Sequence, residues 1–247
     1  MENLKYDKIL VISDNPFLIN AFCKLTLNIP GVLVDFACTK GNVELLNDPS
    51  LAVKITPLNV KNEHEAIALQ YDLIFSLHCK QLFPTELVRR VKCINVHPGY
   101  NPYNRGWFPQ VFSILNNMPA GVTIHEIDED LDHGPIIARR QIKINSWETS
   151  FDVYKKIQVL EVELLKECLP SILRGTYKTT MPEEDGNVNL KRDFNGLCKL
   201  DLEKTTTIKD AINQLRALTH GNYANAFFID PESGSKVYVK ISLQKED

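Results

Sequence analysis

The sequence predicts an α/β protein with a doubly wound, mostly parallel sheet, followed by a small C-terminal helix plus β-hairpin. Apolar runs of strand length alternate with stretches of helical period over the first two thirds of the chain, which is typical of βαβ units with right-handed crossovers. The 247 residues are enough for one α/β domain and an appendage. Ligands of such sheets bind beyond the carboxyl ends of the strands, so we expect the functional residues there.

The first half of the chain alternates between strands and helices. The apolar run Lys8–Ser13 predicts a buried parallel strand, and Pro16 suits the first turn of the helix that follows. We expect the inner face of that helix to consist of Phe17, Ala21, Phe22 and Leu25. Further strands are predicted at 32–37, 54–56, 71–77 and 92–96, with helices at 63–69 and 83–91.

A strand at 138–144 and a long helix are predicted to close the main domain. Thr149 and Asp152 have the spacing of a capping box, and apolar residues then repeat at helical intervals as far as Leu169. Pro170 is expected to end this helix. The polar segment 176–201 is rich in turn residues, which predicts a connector on the surface.

The tail predicts a compact subdomain. A helix should present Ile208, Ile212, Leu215 and Leu218 on one face. Two strands then flank a turn at 231–234, and the alternating second strand, 237–243, should be half buried. The predicted organisation is a catalytic domain at 1–175, a connector at 176–204 and a C-terminal subdomain at 205–247.

Charge and composition exclude several classes of protein. The chain has 28 basic and 31 acidic residues, a net charge of −3 and no long basic run, which argues against a nucleic-acid surface. No apolar run reaches the length of a membrane span and no signal-like core begins the sequence, so we expect a soluble, cytoplasmic protein that does not contact membranes. The six cysteines lack the paired short spacing of a zinc site and are expected to be reduced.

Chemistry-bearing residues concentrate between residues 93 and 138. A strand-like run leads into Asn95 and His97, and Gly121–His125 leads to Asp132. An amide and an imidazole can stabilise a developing oxyanion, and a carboxylate can accept a proton from an attacking amine. No serine or cysteine nucleophile adjoins the histidine, which favours direct transfer over a covalent acyl-enzyme.

Ordinary structural explanations remain open for each of these residues. Asn95 could cap a turn, His97 could be a buried histidine with its bonds satisfied, and Asp132 could bond the backbone ahead of Gly134. A metal site is the other chemical interpretation, although its members lack the i, i+4 spacing of a helical zinc site. Those members would be His97, His125, Asp132 and His133.

These motifs resemble the 10-formyltetrahydrofolate-dependent formyltransferases. The matching residues are Asn95-Val96-His97-Pro98, then Gly121–His125 and Asp132-His133-Gly134-Pro135. The segments 76–81, 99–107 and 216–223 are similar to the branch that formylates amino sugars on nucleotide carriers, in particular enzymes acting on dTDP-4-amino-4,6-dideoxyglucose. Gly99 departs from the purine and tRNA members, which usually carry serine there.

The resemblance implies a Rossmann-like fold, a formyl donor and roles for individual residues. Asn95 and His97 would hold the formyl oxygen and Asp132 would accept the amine proton, with 10-formyltetrahydrofolate as donor and no metal. The implied cofactor contacts are Leu77, His78, Cys79, Gln81, Gly121 and Gly134. For the small-molecule nucleotide-sugar, Lys80 and Arg105 are the candidates for the phosphates, because a diphosphate needs cationic donors, with ordinary surface charge as the alternative. Tyr103, Trp107 and Tyr223 could stack on the base, with ordinary packing as the alternative, and Asn104 is a further candidate contact.

Other functions share parts of this pattern. Methionyl-tRNA formyltransferases look to need a further basic domain, and glycinamide ribonucleotide formyltransferases are shorter. Formyltetrahydrofolate hydrolases direct the same residues at water, and a non-catalytic binding module would not need all three residues. The resemblance also implies a homodimer and a role in O-antigen or other surface polysaccharide synthesis.

Overall fold

The computed structural model describes residues 4–246. Its strands are β1 (Lys8–Ser13), β2 (Leu33–Thr39), β3 (Ile55–Leu58), β4 (Leu73–Leu77), β5 (Lys92–His97), β6 (Arg105–Gly106), β7 (Ala120–Glu126), β8 (Ile136–Ile142), β9 (Val188–Asn189), β10 (Thr219–His220), β11 (Tyr223–Ala224), β12 (Ala226–Ile229) and β13 (Lys236–Val239). Its helices are α1 (Pro16–Thr26), α2 (Val43–Leu46), α3 (Val60–Gln70), α4 (Thr85–Val88), α5 (Pro109–Asn116), α6 (Ser150–Arg174), α7 (Lys191–Cys198) and α8 (Ile208–Leu218).

Seven strands form one sheet in the order β3-β2-β1-β4-β5-β7-β8. β1 pairs in parallel with β2 and β4, and β4 pairs in parallel with β5. β7 runs antiparallel to β5. The predicted doubly wound, mostly parallel sheet is confirmed. Because β1, β4 and β5 are parallel, their carboxyl ends lie side by side. The strand order reverses at β1, and ligands of such sheets bind beyond the carboxyl ends at this point.

The central strands are buried because their sequences are apolar throughout. Ile9, Val11 and Ile12 in β1 are fully buried, and every residue of β4 is buried. Strands covered on both faces need no polar alternation. This explains why the strand predictions at 8–13 and 71–77 were accurate to within two residues.

The buried face of α1 differs from the predicted one. Phe22 is buried as predicted, but Phe17 is 47% exposed. Asn15 caps the helix, and its side chain accepts a hydrogen bond from the Leu18 amide. With the helix beginning here, a different set of side chains faces the core. The buried residues are Leu18, Ile19, Phe22 and Thr26.

The prediction that Pro170 ends the long helix was wrong, because α6 continues to Arg174. Beyond Pro170, Ile172 and Leu173 are almost completely buried, so packing outweighs the local cost of proline. Gly175 ends the helix instead. It has φ +63° and donates to the Ile172 carbonyl, while Thr176 donates to the Ser171 carbonyl, the bond pattern of a Schellman cap.

The segment 176–201 contains regular structure that the sequence did not predict. β9 pairs in parallel with β6, and α7 follows directly. α5 was also not predicted, although Pro109 occupies its first turn. These elements are too short for a period to be recognised in the sequence.

The tail has the predicted helix and hairpin with smaller buried surfaces. β12 and β13 pair antiparallel around the predicted turn, but β13 ends at Val239 and Val237 is 39% exposed. In α8, Leu218 is buried as predicted, whereas Ile208, the first residue of the helix, is 80% exposed. Among residues 4–246, no helix is both long and apolar enough to span a membrane.

The chain divides into two compact units. The first consists of the residues up to His97, Val122–Arg140 and Gln158–Glu183, and the second consists of Pro98–Gly121, Gln141–Ile157 and the residues from Glu184 onward. The predicted domain boundaries at 175 and 204 stay a prediction.

Candidate active site

Two neighbouring strands of the first unit bring Asn95, His97 and His125 together. Asn95 and His97 lie two residues apart on β5, so their side chains emerge on the same face of the sheet. β7 is antiparallel to β5 and pairs His125 directly opposite Asn95. The result is an amide and two imidazoles on one face of the sheet, with the ring centroids of His97 and His125 6.3 Å apart.

Asp132 completes the cluster from the loop after β7. Its Oδ1 accepts a 2.9 Å hydrogen bond from Asn95 Nδ2, and its Oδ2 lies 3.4 Å from His97 Nδ1. The Asp132 backbone is left-handed, with φ +49°, a conformation that aspartate tolerates better than most residues. The three residues predicted as catalytic are therefore in contact.

Gly134 allows this loop to fold back onto β7. A Cβ atom at this position would lie 2.0 Å from the Glu126 carbonyl oxygen, so a side chain there would clash with backbone. Next to it, the Glu126 amide donates to the Pro135 carbonyl. The glycine thus has a clear structural role beside Asp132, and its predicted contact with the cofactor stays a prediction.

The cluster is shielded from water. The side chains of His97, His125 and Asp132 are 4%, 2% and 12% exposed. Hydrogen bonds and charges act more strongly in such a low-dielectric environment than in water. This arrangement can stabilise charge that develops on a substrate oxygen and can accept a proton.

The neighbouring thiols do not supply a nucleophile. Burial raises the pKa of Cys79 and of Cys93 to about 12, so both remain protonated at neutral pH. Only a thiolate is an effective nucleophile. This supports the expected direct transfer without a covalent acyl-enzyme.

Of the four residues in the alternative metal site, His97, His125 and Asp132 lie in this cluster, whereas His133 contacts another group. His133 Nδ1 lies 2.8 Å from Asp128 Oδ2. His133 therefore contacts a carboxylate that is not part of the predicted metal site. In the part of the chain that the structure describes, no three His, Cys, Asp or Glu side chains are grouped as metal ligands.

The predicted cofactor residues Leu77, His78, Cys79 and Gln81 lie at the carboxyl end of β4, which pairs with β5. Leu77 is the buried last residue of the strand, opposite Val96. The Gln81 amide binds backbone, accepting from the Val60 amide and donating to the Leu58 carbonyl. Their predicted contacts with the cofactor, and that of Gly121 in β7, stay predictions.

His78 is held from two sides. It has φ +55°, its Nε2 lies 2.7 Å from Glu161 Oε1, and its Nδ1 lies 3.4 Å from Asn15 Nδ2. Glu161 is fully buried on α6, and burial raises the pKa of its carboxyl group. This pair was not predicted, because a glutamate among the leucines of a helix carries no sequence signal for a partner 83 residues away.

Among the predicted substrate residues, Asn104 is fully buried in the second unit. Its Nδ2 donates to Ser113 and Asn116, and three neighbouring amides donate to its Oδ1. These donors are Asn116, Asn187 and Asn189. The side chain therefore ties residues 104–116 to residues 187–189, and its predicted contact with substrate stays a prediction.

The remaining predicted substrate residues are accessible to different degrees. Lys80 is exposed. In the second unit, Arg105 Nη2 donates to the Asp185 carbonyl, Tyr103 Oη donates to Glu184, and the Lys191 ammonium lies 5.3 Å from the centre of the Trp107 ring. Tyr223 is 71% exposed. The structure thus leaves their predicted contacts with a nucleotide-sugar as predictions.

Sequence profiles of known families match almost the whole chain. The profile described as Formyl transferase matches residues 2–169, and the profile described as N-formyltransferase dimerization C-terminal domain matches residues 193–245. These matches confirm the resemblance inferred from the motifs.

Comparison with individual proteins also shows similarity to formyltransferases. The chain is 44% identical over 239 residues to the dTDP-4-amino-4,6-dideoxyglucose formyltransferase of Mycobacterium tuberculosis, covering 96% of this chain and 97% of that protein. A crystal structure of a 4-N formyltransferase from Francisella tularensis superposes with a TM-score of 0.93 at 44% identity, over 97% of this chain and 99% of that one.

A more distant structure shares the fold. The N-formyltransferase of Helicobacter canadensis, solved in complex with folinic acid and dTDP-3-aminofucose, has a TM-score of 0.67 at 23% identity, over 85% of this chain and 80% of that one.

Proposed function

Because the chain belongs to the formyl transferase family, we propose that it transfers a formyl group from 10-formyltetrahydrofolate to the amino group of dTDP-4-amino-4,6-dideoxyglucose. The observation that carries this proposal is the mutual contact of Asn95, His97 and Asp132. The similarity to relatives with this activity extends over 96% of the chain.

The cluster fits the formyl group of such a donor. Amide and imidazole donors suit an oxygen that gains negative charge when an amine attacks the formyl carbon. The attacking amine must also lose a proton, and Asp132 is the carboxylate in contact with both donors. In this proposal, Asn95 and His97 stabilise the oxygen and Asp132 accepts the proton, directly or through one water.

The choice of a sugar nucleotide over a tRNA is supported by two observations. The net charge of −3 gives no electrostatic attraction to an RNA backbone. The C-terminal segment matches a profile of N-formyltransferases, and the similarity to a sugar formyltransferase covers 97% of that relative. A tRNA or purine-precursor substrate is therefore not favoured.

We further propose that the protein is a homodimer that contacts its partner through the C-terminal segment. Within residues 193–245, several large apolar side chains are exposed, and a soluble protein usually covers such a group. They are Leu202, Ile208, Tyr223, Ile229, Val237 and Tyr238. A cytoplasmic location and a role in O-antigen or other surface polysaccharide synthesis belong to the same proposal, because they are what a nucleotide-linked formamido sugar implies.

The proposed function is tested by the acceptor dependence of cofactor turnover. Purified protein should convert 10-formyltetrahydrofolate to tetrahydrofolate only when an amino-sugar nucleotide is present. A panel of nucleotide-linked 3-amino and 4-amino sugars identifies the acceptor, with methionyl-tRNA as a comparison. Equal turnover with water alone would instead make the protein a hydrolase.

A further inference from the structure

His125 is almost completely buried and has both ring nitrogens in contact with named partners. Its Nδ1 lies 2.7 Å from the backbone carbonyl oxygen of Glu126. A carbonyl oxygen can only accept a hydrogen bond, so Nδ1 must carry a proton. In the neutral imidazole, this leaves Nε2 as a lone-pair acceptor.

That acceptor faces the amide of Asn95. The distance from His125 Nε2 to Asn95 Nδ2 is 3.3 Å, whereas Asp132 Oδ1 lies 3.7 Å from the same nitrogen, too far for a hydrogen bond. The amide nitrogen can only donate. The opposite tautomer, with its proton on Nε2, would place two donors against each other. The carbonyl of Glu126 therefore selects the tautomer of His125 that can bind the Asn95 amide.

The same bond orients the amide relative to Asp132. Asn95 Nδ2 also donates to Asp132 Oδ1 over 2.9 Å, so both N–H groups point toward acceptors. Rotating the amide by 180° would bring its oxygen against the Asp132 carboxylate and against the lone pair of His125. Two acceptors thus fix the same end of one amide.

We propose that His125 is a positioning residue that sets the orientation of the Asn95 amide through the acceptor at Nε2. The bond to His125, the longer of the two, fixes the amide before substrate binds. Its N–H end is then already in place when a substrate oxygen arrives. The kinetic consequence rests on the proposed formyl transfer, whereas the tautomer is a property of the protein alone.

The tautomer can be measured without any substrate. In the full-length protein labelled with ¹⁵N-histidine, long-range ¹H–¹⁵N spectra at neutral pH should show the His125 proton on Nδ1, with the resonance assigned by its loss in His125→Asn. A proton on Nε2 would overturn the proposal, whatever reaction the protein catalyses.

Kinetics of two substitutions then separate orientation from packing. Asparagine at 125 can still donate to the Glu126 carbonyl but offers nothing to Asn95, whereas glutamine can extend an oxygen toward the position of Nε2. We expect H125N to lose about tenfold in kcat, a smaller effect than the loss of a donor to the oxyanion. Both KM values should change by less than about twofold. Such a difference between kcat and KM is typical of lost transition-state interactions. H125Q should retain clearly more kcat than H125N. A kcat of H125Q equal to or lower than that of H125N would contradict the acceptor role of His125.

The dependence on Asn95 gives the sharpest test. If His125 acts through Asn95, H125N should cause no further loss in an Asn95→Ala background. Equal losses in both backgrounds would overturn the proposal. His64→Asn is the matched control, because His64 Nδ1 also lies 2.8 Å from a backbone carbonyl, that of Lys61, on α3.

Discussion

Nδ1 of His97 lies 3.4 Å from Oδ2 of Asp132, while the other oxygen of the same carboxylate accepts from Asn95. One aspartate thus orients both groups that are proposed to stabilise the formyl oxygen. Since the same carboxylate is the proposed proton acceptor, its charge matters for both parts of the reaction.

Replacing Asp132 by asparagine should therefore abolish most catalysis without preventing binding. The amide keeps the shape of the side chain but cannot accept the proton, so kcat should fall by at least about 100-fold. The KM for 10-formyltetrahydrofolate should change by less than about threefold. Steady-state kinetics with a saturating amino-sugar nucleotide measures both.

Asp128→Asn is the matched control for this experiment, because Asp128 lies in the same loop and contacts His133. If H97A and D132N each keep more than about a tenth of wild-type kcat, a smaller effect than the loss of one oxyanion donor, these residues are not catalytic.

Metal removal should leave the activity unchanged. The proposed chemistry uses an amide, an imidazole and a carboxylate, and His133 is already engaged by Asp128. Dialysis against a chelator, followed by the tetrahydrofolate-release assay, checks this expectation. Activity that disappears with the chelator and returns with added zinc would restore the metal-site interpretation.

The buried amide of Asn104 should contribute strongly to stability. Its Oδ1 accepts from Asn116, Asn187 and Asn189, and removing it leaves these donors unsatisfied. Asn104 has φ +52°, so glycine removes the side chain without backbone strain. We expect N104G to lower the free energy of unfolding by about 2–4 kcal/mol, measured by urea denaturation.

Asn62→Ala, on the exposed surface of α3, should change the free energy of unfolding by less than about 0.5 kcal/mol. An N104G protein as stable as this control would show that the amide cluster contributes nothing.

The buried carboxyl group of Glu161 should make stability depend on pH. Burial raises its pKa in the folded protein, so the folded state holds this proton more tightly than the unfolded state does. The contribution of Glu161 is then greatest below the ordinary carboxyl pKa of about 4.3 and falls as the pH rises toward the raised value. Glutamine does not titrate and can still accept from His78.

E161Q should therefore become more stable relative to wild type as the pH increases. Urea denaturation at pH 4.5 and at pH 7.5 measures the difference, with Glu163→Gln on the exposed face of the same helix as control. A difference that shrinks with rising pH would contradict the raised pKa.

The proposed dimer contact can be broken by one charge. Val237 is 39% exposed on β13, and an aspartate there would have to be desolvated in an interface. We expect V237D to be monomeric in sedimentation velocity at micromolar concentration. Leu69→Asp places the same charge at another exposed apolar position, on α3, and should leave the dimer intact. A dimeric V237D protein would place the contact elsewhere.

The sequence alone determined the features that depend on neighbouring residues. Continuous apolar runs identified β1 and β4, because strands buried on both faces need no alternation. The i, i+2 spacing of Asn95 and His97 placed both side chains on one face of a strand. The loop motif around Asp132 was specific enough to indicate the family and its chemistry.

Only the tertiary structure decided which distant residues meet. His125 lies opposite Asn95 because β7 is antiparallel to β5, and Glu161 meets His78 from the middle of α6. Because Ile172 and Leu173 pack in the core, α6 continues beyond Pro170. Spacing along the chain records local periods, whereas strand direction and burial depend on contacts that no short segment contains, so these relationships could not be predicted from the sequence.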